Sequence, residues 1–208
     1  MPSTYDAIII GAGQAGPPLA GRLTAAGMSV GFIERKLFGG TCVNTGCTPT
    51  KTLVASAYAA HLARRATEYG VSTAGEVAVD MKAVKARKDA VVTRTRKGVE
   101  SWLEGMERCT VYRGHARFLS PHEVQVGSDR IAAKQIFINV GGRAVVPNLP
   151  GIDRVATLTN TSILELNALA AASGRDRRQL YRPRVRADVP PLWRRGHRRG
   201  DGATADRT

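Results

Sequence analysis

The apolar run Ala7-Ile8-Ile9-Ile10 leads straight into Gly11-Ala12-Gly13-Gln14-Ala15-Gly16, and this order restricts the fold more than any other feature. Tyr5 to Ile10 reads as a buried strand. Pro17 to Ala26 reads as a helix whose prolines sit in the first turn, where a missing N–H costs least, and Gly27 stops it. Ser29 to Ile33 is a second strand ending in Glu34, 18 positions beyond Gly16. Strand, glycine-rich turn, helix, strand and acidic residue make one βαβ unit of dinucleotide-binding type. Gly11 permits the tight turn, Gly13 lets the backbone approach a pyrophosphate, and Gly16 lets the helix pack close to the sheet. The helix N-terminus favours phosphate, and Glu34 is placed to accept from ribose hydroxyls. FAD and NAD both suit these residues.

The chain of 208 residues is 43% apolar but only 5% aromatic, which suits an aliphatic α/β core. No apolar run reaches membrane-spanning length and no basic segment precedes a long apolar one, so the expectation is a soluble cytoplasmic protein without membrane contact. The net charge of +14 raises a nucleic-acid reading. Half of the excess lies in residues 175–208, with 11 Lys/Arg against 4 Asp/Glu, and a further cluster lies between Lys82 and Lys97. That cluster falls on an amphipathic helix opening at the N-cap Asp80, with Met81, Val84, Val91, Val92, Val99, Trp102 and Leu103 as its apolar positions. A solvated helix face explains it better than a nucleic-acid site.

Thr48 to Tyr69 predicts a long helix closed by Gly70. Val111–Phe118, Glu123–Val126 and Arg130–Ile138 predict strands of a small meander, and Thr161–Ala172 a short helix. Cys109 opens a strand and reads as a small buried side chain.

Cys42 and Cys47 differ from Cys109. They lie in Gly39-Gly40-Thr41-Cys42-Val43-Asn44-Thr45-Gly46-Cys47-Thr48-Pro49-Thr50-Lys51 and bracket a turn leading into a helix. A helix N-terminus stabilises a thiolate, and Lys51 lies one helical turn beyond Cys47. A thiol pair beside a bound cofactor is one reading, and a zinc half-site or two unrelated thiols are others. The scattered His61, His115, His122 and His197 offer no knuckle spacing, so no metal is expected.

The string GGTCVNTGCTPTK closely resembles the redox-disulfide motif of the class I pyridine nucleotide–disulfide oxidoreductases. Its wording is similar to the mercuric-reductase and dihydrolipoamide-dehydrogenase branches. The resemblance spans residues 5–168, with GAGQAG, Gly114-His115-Ala116 and the stretch Ile138–Ile152. It implies an α/β, Rossmann-like FAD-binding domain over 1–168, with a parallel sheet, long helices and a β-meander. It implies FAD as the dinucleotide and NAD(P)H as electron donor in the full-length family. Cys42 would be the interchange thiol and Cys47 the flavin-side thiol. Lys51 would approach the flavin, Glu34 and Arg35 the ribose side, and Gly114, His115 and Ala116 the adenine. Gly40 and Thr41, the loop residues Ala12, Gln14 and Ala15, and Gly141, Gly142 and Arg143 complete the implied cofactor set. Gly141-Gly142-Arg143 stands where the family usually has Ala-Thr-Gly. The implied substrate is a small molecule or a disulfide, and the family is homodimeric through a further domain.

From Gly174 the composition changes to Arg, Pro, Gly and Asp without helical or strand period, so 169–208 is expected to be a disordered basic tail. Back-translating Arg178 to Trp193 and reading from the second nucleotide allows GSYIGLEFAQMYRRFG, and Gly196 to Gly200 allows VTVVE. These strings resemble the family's second nucleotide-binding unit. The expectation is a frameshift near residues 169–174, leaving an inactive fragment without its NAD(P)H and dimerisation domains. A non-catalytic flavin-binding or interaction fragment is the alternative.

Overall fold

The computed structural model describes residues 2–146 and 148–167. Six strands form one sheet: β1 (Ser3–Ile10), β2 (Val30–Glu34), β3 (Cys109–Arg113), β4 (Ala116–Ser120), β5 (Glu123–Val126) and β6 (Asp129–Ile138). Their order is β3-β2-β1-β6-β5-β4. The pairs β3–β2, β2–β1 and β1–β6 are parallel, whereas β6, β5 and β4 form an antiparallel meander.

Both faces of β1 are covered, so Ala7, Ile8 and Ile9 are fully buried and the strand reads as an unbroken apolar run. On one face α1 (Gly16–Ala25) and α4 (Met81–Glu104) enclose Ile9, Val30, Phe32 and Leu103. On the other, Ile8, Ile10 and Ile33 pack with Val124, Val126 and Ile131 of the meander. A hydrogen bond of 2.7 Å joins the Tyr5 and Tyr112 hydroxyls beside this second cluster. The short α2 (Gly40–Thr45) leads into α3 (Cys47–Arg64), which packs against α4 and is followed by a 3-10 turn, Ala66–Tyr69.

Four expectations from the sequence change. The single strand over Val111–Phe118 is two strands, β3 and β4, on opposite edges of the sheet. The chain turns between them at Gly114, whose N–H donates to Glu34 O at 3.0 Å. A Cβ at Gly114 would meet Val126 Cγ1 at 2.8 Å, so the crossing is tight. The helix expected to begin near Thr48 begins at Cys47 and ends at Arg64, with a separate short helix before it. The helix over Thr161–Ala172 is a 3-10 turn, Ser162–Glu165, with residues 168–172 outside the described residues. Lys88, assigned to the solvated face of α4, is buried, with 3% of its surface exposed. The expected tail over 169–208 and its shifted-frame reading also lie outside the described residues. No helix among the described residues is long and apolar enough to cross a membrane.

Asp80 caps α4 as its sequence position predicts: its Oδ1 accepts from Lys82 N at 2.8 Å and Ala83 N at 3.2 Å. Asp80→Ala leaves both donors to water and is expected to lower unfolding free energy by about 1 kcal/mol, read from the urea midpoint.

Candidate functional site

The parallel strands end at one edge, and the candidate residues gather there, as ligand-binding crevices do in open α/β sheets. Gly11, with φ +108°, turns the chain out of β1 while Asn139 N, just past β6, donates to Ile10 O at 2.8 Å. A Cβ at Gly11 would lie 2.4 Å from Asn139 O, and one at Gly16 would lie 2.3 Å from Gly11 O and 3.1 Å from the Phe32 ring. Those two glycines are required by the protein's own packing. Gly13 is different: a Cβ there would meet only Asn139 O, at 3.8 Å, so the space beside it is open.

The backbone donors of this turn divide in the same way. Gly11 N donates to Ile33 O at 2.8 Å, and Ala12 N to Glu34 Oε2 at 2.8 Å. The N–H groups of Gly13, Gln14 and Ala15 have no acceptor among the described residues. Pro17 and Pro18 supply none, and the first turn of α1 carries no acidic side chain. Three consecutive amides and a helix N-terminus therefore face open space, which suits an anionic ligand such as a pyrophosphate. The helix itself contributes less than its sequence position suggested, because its first turn holds two prolines.

Glu34 is oriented by the backbone, accepting also from Lys36 N at 2.8 Å. Gly114 N bonds the Glu34 carbonyl, and Arg35 Nη1 lies 3.4 Å from His115 Nδ1, so Glu34, Arg35, Gly114, His115 and Ala116 come together beyond β2 and β3. Gly141, Gly142 and Arg143 follow β6 on the same side but make no hydrogen bond to the other candidates among the described residues.

The thiol segment abuts the glycine-rich turn. Gly39 N donates to Ala12 O at 2.8 Å, Gln14 Nε2 lies 3.4 Å from Gly39 O, and a Cβ at Gly40 would lie 2.7 Å from Gly13 Cα. Gly39 and Gly40 both have positive φ, +90° and +58°. Cys42 sits in α2, half-buried, and Cys47 opens α3, exposed; both are free thiols. The Cys42 thiol is pushed above its ordinary value, first by its hydrogen bond with the Cys47 side chain and then by burial. The Cys47 backbone N–H and Lys51 pull it the other way. The two thiols thus influence one another, with the Lys51 ammonium one helical turn beyond Cys47. Among the described residues Lys51 makes no ion pair, and no group of His, Cys, Asp and Glu could hold a metal.

Two residues inside the thiol motif have roles that spacing does not reveal. Asn44 Nδ2 donates to Phe38 O and Gly40 O, both at 2.9 Å, tying α2 to the loop before it. Gly46 is the break between α2 and α3, and a Cβ there would lie 2.8 Å from Thr41 O and 3.2 Å from Cys42 Cα. Only hydrogen at this position lets α3 approach Cys42.

A nucleotide-type α/β domain bearing a dithiol against its glycine-rich turn defines a redox class of protein. The family described as "Pyridine nucleotide-disulphide oxidoreductase" matches residues 5–177. The chain belongs to that family. It is 36% identical over 152 residues to the dihydrolipoyl dehydrogenase of Acholeplasma laidlawii, covering 73% of this chain and 45% of that protein. It is 37% identical over 162 residues to the mercuric reductase of Bacillus cereus, covering 78% and 26%. Among solved structures, the HOCl-induced flavoprotein disulfide reductase RclA from Escherichia coli superposes with TM-score 0.64 at 36% identity, covering 79% of this chain and 35% of that one. The chain therefore spans less than half the length of these relatives.

Two measurements probe the thiol geometry. Cys47→Ala removes the first cause of the raised Cys42 value, so the pH profile of Cys42 alkylation is expected to move to lower pH, whereas Lys51→Met is expected to move it higher. Gly46→Ala forces α2 and α3 apart and is expected to destabilise the protein by about 1–3 kcal/mol, read by urea unfolding.

Proposed function

We propose that the chain carries the first FAD-binding segment and the redox dithiol of a FAD-dependent pyridine nucleotide–disulfide oxidoreductase. The observation that carries this reading is the row of unpaired amides at Gly13, Gln14 and Ala15, set between the Glu34 carboxylate and the helix that bears Cys42. Those amides would hold the pyrophosphate. Glu34 would accept from the adenosine ribose with Arg35 beside it, and Gly114, His115 and Ala116 would border the adenine. Gly40, Thr41, Lys51 and Gly141–Arg143 would line the remainder. Bound FAD supplies two-electron transfer between a reduced nicotinamide and a thiol pair.

The chain's own residues perform the thiol chemistry. Cys42, as interchange thiol, attacks an external disulfide once its proton is released, and one half of that disulfide leaves as a thiol. Cys47 then attacks Cys42, closing the intramolecular disulfide and releasing the second thiol. Two thiols are oxidised and one external disulfide is reduced. Lys51 favours the thiolate that begins the sequence. The substrate class is a disulfide or another small soft electrophile, and the whole enzyme acts as a homodimer in the cytoplasm.

Among the described residues no site is assigned to the reduced nicotinamide. The chain spans 26–45% of the curated relatives' length.

The test is to titrate the purified chain with FAD and follow NADPH and NADH oxidation. Weak flavin binding, reduced further by Gly13→Ala with the thermal midpoint unchanged, and no steady turnover are expected. Tight flavin binding with sustained NAD(P)H oxidation by the 208 residues overturns the fragment reading. Flavin binding indifferent to Gly13→Ala overturns the assigned cradle.

A further inference from the structure

Cys42 and Cys47 belong to different helices, and contacts from outside the motif reach both of these helices as well. A chain of side-chain links does this. Asn160 Nδ2 donates to Thr45 O, the last residue of α2, at 3.1 Å. Five positions on, Glu165 accepts from Lys85 Nζ at 3.0 Å and Lys88 Nζ at 3.4 Å, both on α4. Arg87, on the same helix, donates to Thr52 O at 3.0 Å and Ser56 Oγ at 3.2 Å, both on α3. The circuit runs from α2 through the 159–165 turn and α4 to α3, which begins at Cys47.

The turn that carries the first link is itself well fixed. Thr159 N donates to Ser162 Oγ at 2.8 Å, and the Leu164 side chain is buried. Lys88 has 3% of its surface exposed, and its ammonium reaches only Glu165 and Asp89 among the described carboxylates. Glu165 thus receives two ammonium groups from one face of α4, which ties the turn to that helix.

We propose that Asn160 and Glu165 are positioning residues for the dithiol: they hold α2 against α3 so that closing the Cys42–Cys47 disulfide orders little further chain. The inference rests on the redox role given to the thiols above. Oxidation by glutathione disulfide removes two protons and two electrons from Cys42 and Cys47 and releases two glutathione thiols. Its equilibrium constant reports how near the two sulfurs are held in the dithiol. Losing one bracing hydrogen bond lowers that constant about fivefold, the fold-change that a typical net hydrogen bond represents.

The experiment equilibrates the full 208-residue chain in glutathione redox buffers, quenches with an alkylating agent and quantifies the Cys42–Cys47 peptide disulfide by mass. Asn160→Ala and Glu165→Gln are each expected to lower the exchange constant about fivefold, the net value of one hydrogen bond. Asp80→Ala, which weakens α4 without touching these links, is expected to keep the wild-type constant. Wild-type constants in both brace variants overturn the brace alone, as does an equal shift in Asp80→Ala. A wild-type chain that forms no Cys42–Cys47 disulfide overturns the redox role and the brace with it.

Discussion

The approach of three chain segments at the glycine-rich turn is the constraint on which the other arrangements depend. The end of β1, the end of β6 and the start of α1 meet with no space for side chains, since a Cβ at Gly11 or Gly16 would overlap carbonyl oxygens. That contact brings Asn139 beside the turn, fixes the close approach of α1 to Phe32, and leaves Ala12 O free to receive Gly39 N. The glycine-rich turn and the thiol segment are therefore one packed unit. Moving the turn would move both.

The electrostatics are organised the same way. A strongly basic chain is expected to hold its cations in solvent, yet Lys88 is buried and shared between Asp89 and Glu165. Both carboxylates are largely exposed, so the contribution of these pairs to stability is modest. The effect of the Glu165 pair is on geometry, because it joins a loop 77 residues away to the helix that supports α3. The exposed pairs contribute less: Arg65–Glu68 lies on a single helical end, and Arg113 reaches Glu100 and Glu104 near solvent, where ion pairs are worth about 0–1 kcal/mol.

The first βαβ unit was legible because every local signal agreed: the apolar run, three glycines, two early prolines and a distant acidic residue. The structure carries β1, α1 and β2 at those positions and adds two residues to the start of β1. The break between β3 and β4 was not legible, since Val111–Phe118 alternates as one strand would. Only the collision that a side chain at Gly114 would make with Val126, distant in sequence, shows that the chain must cross the sheet there. Lys88 was misread for a related reason. Helical periodicity places it beside other cations, and one of its two carboxylate partners, Glu165, lies in a segment that no period connects to α4. Within the thiol motif the cysteines announced themselves, but the packing role of Gly46 needs the coordinates of Thr41 O.

The thiol pair shows why a motif and its supports differ in kind. The Cys47 side chain beside Cys42 raises the Cys42 value, and burial adds to it. Lys51 acts in the opposite direction, toward the Cys42 thiolate. Proximity is supplied by hydrogen at Gly46, by Asn44 tying α2 to its own loop, and by links reaching α2 and α3 from outside the motif. The cysteine spacing identifies the chemistry, and the packing of two short-range neighbours with one distant turn sets how readily it proceeds.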